Sequence, residues 1–248
     1  MPKLCSPVFL LPPYTVGPYT LRIIPAKKED FHDKRRKLEH DWTAGVVLID
    51  RSLNTRKSLE ALMRSLVTAI HYRSGLNDTC DEEAYTHSLA TGLTEIALNC
   101  PQFWQQFNKL LEAEYCPGAG WHRASRGIAF HEALQPPTLV VYDGKQCRFE
   151  WKPLDYFTKM AAYGFFTPKA GVVELPSQLS GSNASIVALH ETLHFIHECE
   201  GLKDSHPERA FKKAQAYSLP RFIRQNPGWW SWWLLRTRQE SVELPLAA

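Results

Sequence analysis

Residues 45–107 align with residues 171–233 at a constant offset of 126, without an insertion. Fifteen of the 63 aligned positions are identical. They include Gly45 with Gly171, Ile70-His71 with Ile196-His197, Gly75-Leu76 with Gly201-Leu202, Pro101 with Pro227 and Trp104 with Trp230. Turn glycines, apolar positions and a carboxylate (Glu82 with Glu208) rarely stay in step by accident over such a length. The chain therefore reads as one supersecondary unit used twice, which predicts a first repeat over 1–118 and a second over 119–248. The stretch Cys116-Pro117-Gly118-Ala119-Gly120 punctuates the chain between them.

Each repeat has the pattern of a small α+β unit. A β-prone segment (Gly45–Asp50, Gly171–Leu175) leads into an amphipathic helix. In the second repeat Asn183 is the expected N-cap, and Ile186, Leu189, Leu193 and Ile196 recur at helical spacing. Both helices should stop at Gly75 and Gly201, where a left-handed residue suits glycine. A second helix starts near Glu82 or Glu208, and Pro101 or Pro227 opens a third, aromatic-rich helix. Leu21–Ile24 and Thr138–Tyr142 are expected as further strands.

Within the first helix of the second repeat stands His190-Glu191-Thr192-Leu193-His194, an H-E-x-x-H pattern. Residues four apart lie on one helix face, so both imidazoles can reach one ion at about 2.0–2.1 Å. Glu191 sits about 100° further round, where it serves as a base and not a ligand. A catalytic zinc site needs a third protein ligand. Glu208 is the choice: it follows His194 by 14 residues across a turn, and it is the one acid kept in register at the start of the returning helix. His197, His206 and Asp204 compete for the place. His197 shares the helix face, but three ligands from one straight helix cannot surround an ion, and its match with His71 suits a structural role. Tyr163 and Tyr217 are weaker candidates as phenol donors to an oxyanion.

His190, Glu191, His194 and Glu208 together resemble the zincin metallopeptidases, most of all the small gluzincin-type units of bacterial and phage proteins. The resemblance covers roughly 171–224, and 45–98 only as a scaffold. It implies an α+β fold of tandem zincin-like units, with Zn2+ held by His190, His194 and Glu208 beside an edge strand, and an extended peptide lying along that strand. In the first repeat Arg64, Ser65 and Thr68 replace the two histidines and the glutamate, so that half cannot hold zinc in this way. There Arg64 is expected to pair with Glu82.

The functional expectation is a zinc metallopeptidase acting on a protein or peptide, with Glu191 as the base and the first repeat as an inactive scaffold. A rival is a zinc-stabilised binding protein without turnover, its site closed by a fourth ligand such as His206 or Cys199. No apolar run approaches the roughly 20 residues that span a bilayer, and no leader pattern opens the chain, so a cytoplasmic protein is expected. Six scattered cysteines, none in a C-x-x-C pair, agree with a reducing compartment. Nucleic acid is not an expected partner, because the formal net charge is only +3. A protease working on nucleic-acid-bound proteins would need a basic stripe near the site. The run Lys34–Lys37 is flanked by acids and reads as a solvated face. Trp229–Trp233 matches Phe103-Trp104 and Phe107 of the first repeat, which favours packing over an exposed platform.

Overall fold

A computed structural model describes residues 13–76, 82–112, 139–160, 162–178, 181–202 and 206–243. The fold is α+β, with two four-stranded sheets and seven α-helices among the described residues. Two compact units are formed, one from 1–94 and 221–248, the other from 95–220.

In the first unit the strands are β1 (Tyr14–Val16), β2 (Tyr19–Ala26), β3 (Leu38–Asp41) and β4 (Val46–Asp50), ordered β1-β2-β4-β3. The central pair β2/β4 is parallel and the two outer pairs are antiparallel. Helix α1 (Thr55–Arg73) starts where Asn54 Oδ1 accepts the Lys57 N–H at 2.9 Å, and it buries Leu62, Leu66, Val67 and Ile70. Helix α2 (Glu82–Asn99) follows. The unit is completed by a helix from the far end of the chain, Pro227–Glu243, here called α7 because it is seventh in order. Its Trp229, Trp230 and Trp233 are fully buried, and the Trp233 indole N–H donates to the Leu59 carbonyl at 3.1 Å.

The second unit repeats this plan with β5 (Leu139–Tyr142), β6 (Lys145–Lys152), β7 (Phe165–Thr167) and β8 (Val172–Pro176), ordered β5-β6-β8-β7. Between β6 and β7 lies α4 (Leu154–Met160). After β8 come α5 (Gly181–Cys199) and α6 (His206–Gln225). Helix α3 (Pro101–Glu112) packs on α5 with Phe103, Trp104 and Phe107 buried. The strand partners reappear at the same offset as the sequence. Tyr14 opposite Leu21 becomes Val140 opposite Cys147, Arg22 opposite Val46 becomes Arg148 opposite Val172, and His40 opposite Val47 becomes Phe166 opposite Val173; every number rises by 126.

The compact units are not cut at the repeat boundary of 118 and 119. Helix α3 lies in the first repeat in sequence but belongs to the second unit, while α7 lies in the second repeat and belongs to the first. The reason is the aromatic face of each third helix, which buries against the first helix of the other repeat's sheet. The Trp229–Trp233 segment is accordingly packing for three of its four indoles. Trp232 stays half-exposed with the Arg236 guanidinium 5.7 Å from its ring. Cys100, Cys147 and Cys199 are free thiols. No helix among the described residues is long and apolar enough to cross a membrane.

The entry into β4 and β8 uses glycine for two reasons at once. Gly45 and Gly171 have φ of +64° and +58°, and an added Cβ would stand 2.8 Å from the Thr20 oxygen or 2.7 Å from the Gln146 oxygen. Gly144 shares the left-handed φ (+68°) but has nothing within 4 Å of an added Cβ. Gly144→Ala should therefore cost about 1–2 kcal/mol of stability. Gly171→Ala should cost about 1–3 kcal/mol more, because a backbone carbonyl cannot move aside. Urea unfolding of the two variants measures the difference.

Candidate metal centre

Helix α5 sets its histidines on one face because four residues advance the helix by about 6 Å and slightly more than one turn. The rings of His190 and His194 meet edge to face with centroids 5.0 Å apart and planes at 74°, both half-buried. Glu191 points to the sheet side, where it is 6% exposed. The segment leading into edge strand β7 closes over it. An added Cβ on Gly164 would stand 2.6 Å from Val187 Cγ1 and 3.1 Å from both Cγ and Oε1 of Glu191, so only glycine fits. Two residues on, the Phe166 backbone N–H donates to the Glu191 carboxylate. Burial pushes the Glu191 carboxyl up to about 7, against the opposing pull of the Lys212 ammonium and of that N–H.

Lys212 is the buried charge at the candidate centre that sequence reasoning missed. It is 2% exposed on α6, and its Nζ lies 2.5 Å from Nδ1 and 2.7 Å from Nε2 of His194. An ammonium donates only, so its acceptor here is whichever ring nitrogen carries the lone pair, the same lone pair that a metal ion would use. A signal was present. Lys212 occupies the buried stripe of α6 with Ala216, Leu219 and Ile223, at spacings of four, seven and eleven. A lysine on such a stripe is rarely there for solubility.

Glu208 begins α6, one turn before Lys212, but its side chain lies outside the described residues, as do those of His206 and Asp204. Among the described residues no three His, Cys, Asp or Glu side chains are grouped to hold a metal ion. His190 and His194 thus supply two imidazoles in ring contact on one helix, and the third expected donor lies outside the described residues. The pair suits a zinc-sized ion provided that Lys212 withdraws from His194. Burial pushes the Cys199 thiol up to about 11. His197 is fully buried at the end of α5, and the Leu202 N–H donates to its carbonyl at 2.8 Å in the same Gly-Leu stop that ends α1, where Leu76 donates to His71 at 3.0 Å. Tyr163 and Tyr217 are 76% and 58% exposed.

In the first unit uncharged groups stand at the place of Glu191. Ser65 Oγ lies 2.5 Å from the Tyr14 hydroxyl and 3.2 Å from His40 Nε2. Burial drives His40 down to about 4, so its ring is neutral. Arg64 pairs with Glu83 at 3.2 Å, which corrects the expected partner, Glu82, by one position. Glu83 points outward at this turn and is 86% exposed, so it meets the long guanidinium at the rim.

No protein-family model, curated protein or solved structure matches the chain.

The raised Glu191 carboxyl has a definite consequence for metal-free protein. Below the ordinary carboxyl value of 4.5, folded and unfolded forms both hold the proton and Glu191 costs nothing. Between 4.5 and about 7 only the unfolded form releases it, so stability falls as pH rises, and above 7 the loss is constant. Glu191→Gln should therefore be more stable than the parent by on the order of 3 kcal/mol at pH 8, with the advantage gone at pH 4. Urea unfolding in chelator at the two pH values reads this directly.

Proposed function

We propose that this chain is a zinc-dependent metallopeptidase, with Zn2+ held by His190, His194 and Glu208 and Glu191 as the catalytic base. The observation that carries the reading is the carboxyl of Glu191, buried on the helix that bears His190 and His194 and poised near neutral pH. A base of that strength takes and returns a proton at working pH without a large energetic mismatch. When bound, zinc at this place would supply a Lewis acid for the scissile carbonyl and make water more acidic. The chain's own residues do the rest. Phe166 N–H holds the Glu191 carboxylate on the sheet side. Glu191 removes a proton from the attacking water and delivers it to the leaving amine. The outer edge of β7 lies next to Glu191 and suits an extended protein or peptide substrate.

The matched strand register and matched helices support a tandem of zincin-like units, the first of them a scaffold without metal ligands. The free thiols support a reducing, cytoplasmic setting. One observation favours the second reading, a metal-stabilised or metal-free binding protein without turnover: the Lys212 ammonium faces His194. The two readings separate on Glu191, which a binding protein does not need.

Glu191→Gln should keep one zinc per chain, by elemental analysis, while peptide cleavage falls by at least about a hundredfold. Retained cleavage would remove the proposed base. His194→Ala should lose the metal as well as the activity. Lys212→Met keeps the side-chain volume and removes the competing cation, so zinc affinity at pH 7 should rise by about tenfold or more in chelator competition. Unchanged affinity would show that Lys212 does not contest the His194 lone pair.

A further inference from the structure

Helix α6 is basic in a way that the fold does not require. From Arg209 to Gln225 it carries five cations (Arg209, Lys212, Lys213, Arg221 and Arg224) and no Asp or Glu. The matched helix α2 has the opposite character: Glu82, Glu83 and Glu95 with no Lys or Arg. Two helices in equivalent places therefore differ in sign, so packing does not demand either charge. On α6 the apolar side is turned inward, with Phe211, Ala216, Leu219, Phe222 and Ile223 buried. The outer side presents Arg209, Lys213 and Tyr217, all exposed, and Arg221 continues the series past Pro220. Members four residues apart rise about 6 Å and turn about 40° from one to the next, so they form a row that winds about 120° round the helix from Arg209 to Arg221.

We propose that this stripe binds single-stranded nucleic acid, with phosphates on Arg209, Lys213 and Arg221 and a base stacked on Tyr217. Three cations in line without an intervening carboxylate match a polyanion. Tyr217, 58% exposed among those cations, offers a ring face of the kind that bases stack on. A bilayer surface is disfavoured, because the apolar side of α6 is spent in the core and has nothing to insert. The net charge of +3 weighs against nucleic acid only as a sum. Fields of surface charges fade over about 8 Å at physiological salt, so a local stripe acts independently of acids elsewhere. The stripe would bind whether or not His190 and His194 hold zinc.

The test is fluorescence anisotropy of the full chain with a labelled twelve-nucleotide oligothymidylate, in chelator so that the metal plays no part. Three phosphate contacts give a slope of log affinity against log salt near −2, about a twentyfold loss between 50 and 200 mM. Arg209→Glu with Lys213→Glu should abolish binding, and Arg209→Gln with Lys213→Gln should weaken it at least tenfold with a flatter slope. The Gln pair decides the matter if the charge-reversed protein fails to fold by circular dichroism. Tyr217→Ala should weaken binding about fivefold or more with the slope unchanged, and Tyr217→Phe should restore it. Absence of binding at 50 mM salt overturns the proposal. So does binding indifferent to the Gln pair or to Tyr217→Ala, or tighter capture by anionic-lipid vesicles than by the oligonucleotide.

Discussion

The parallel pairing of β6 with β8 is the constraint that creates the candidate centre. Parallel neighbours cannot be joined by a tight turn, so the chain must cross over between them. Here the crossover holds α4 and then β7, which returns to pair antiparallel on the far side of β8. With Phe166 fixed opposite Val173, the segment from Gly164 to Phe166 has one place to lie. Helix α5 starts a few residues after β8 and runs back over the sheet, which brings Glu191 under that segment. The contact between Glu191 and the edge strand is thus a consequence of strand order, with glycine at 164 removing the steric obstacle.

Burial at that contact acts through electrostatics. A carboxyl taken out of water prefers its proton, and Glu191 shifts in that direction. A buried ammonium nearby has the reverse preference, and Lys212 lies on the helix that faces α5 across the turn. Neither group is tolerable alone in such surroundings, and each reduces the other's burden. Buried polar clusters of this kind concentrate where chemistry is done, although ion pairs of purely structural origin shift titration in the same manner.

The first unit shows that the frame itself does not need those charges. At the matched positions Ser65 stands for Glu191, His40 for Phe166 and Thr86 for Lys212. The Ser65 hydroxyl is held by Tyr14 and His40, and Thr86 bonds His71 Nδ1 at 3.0 Å. His40 is neutral at pH 7 and the hydroxyls carry no charge, so the same sheet and helix close around a network of ordinary hydrogen bonds. Glu191 and Lys212 differ from their counterparts together with the histidines, which is what a site with a shared purpose requires.

The repeat, the paired helix stops at Gly75 and Gly201 and the placing of His190, Glu191 and His194 on one helix were legible in the sequence, because each depends on local backbone preference and on the 3.6-residue period. Lys212 was only half legible: its place on an apolar stripe was there to be read, but its partner His194 is 18 residues away on another helix. The Arg64 pairing was placed one residue off for a related reason, since which of two adjacent glutamates meets a guanidinium depends on how two helices pack. Sequence alone determined the matched pattern of the two halves, the main helices with their glycine stops and the candidate ligands. Tertiary structure alone decided that α3 and α7 complete the opposite units, that Gly164 roofs Glu191 and that a lysine confronts His194, because burial and charge contact arise only when segments distant in the chain are brought together.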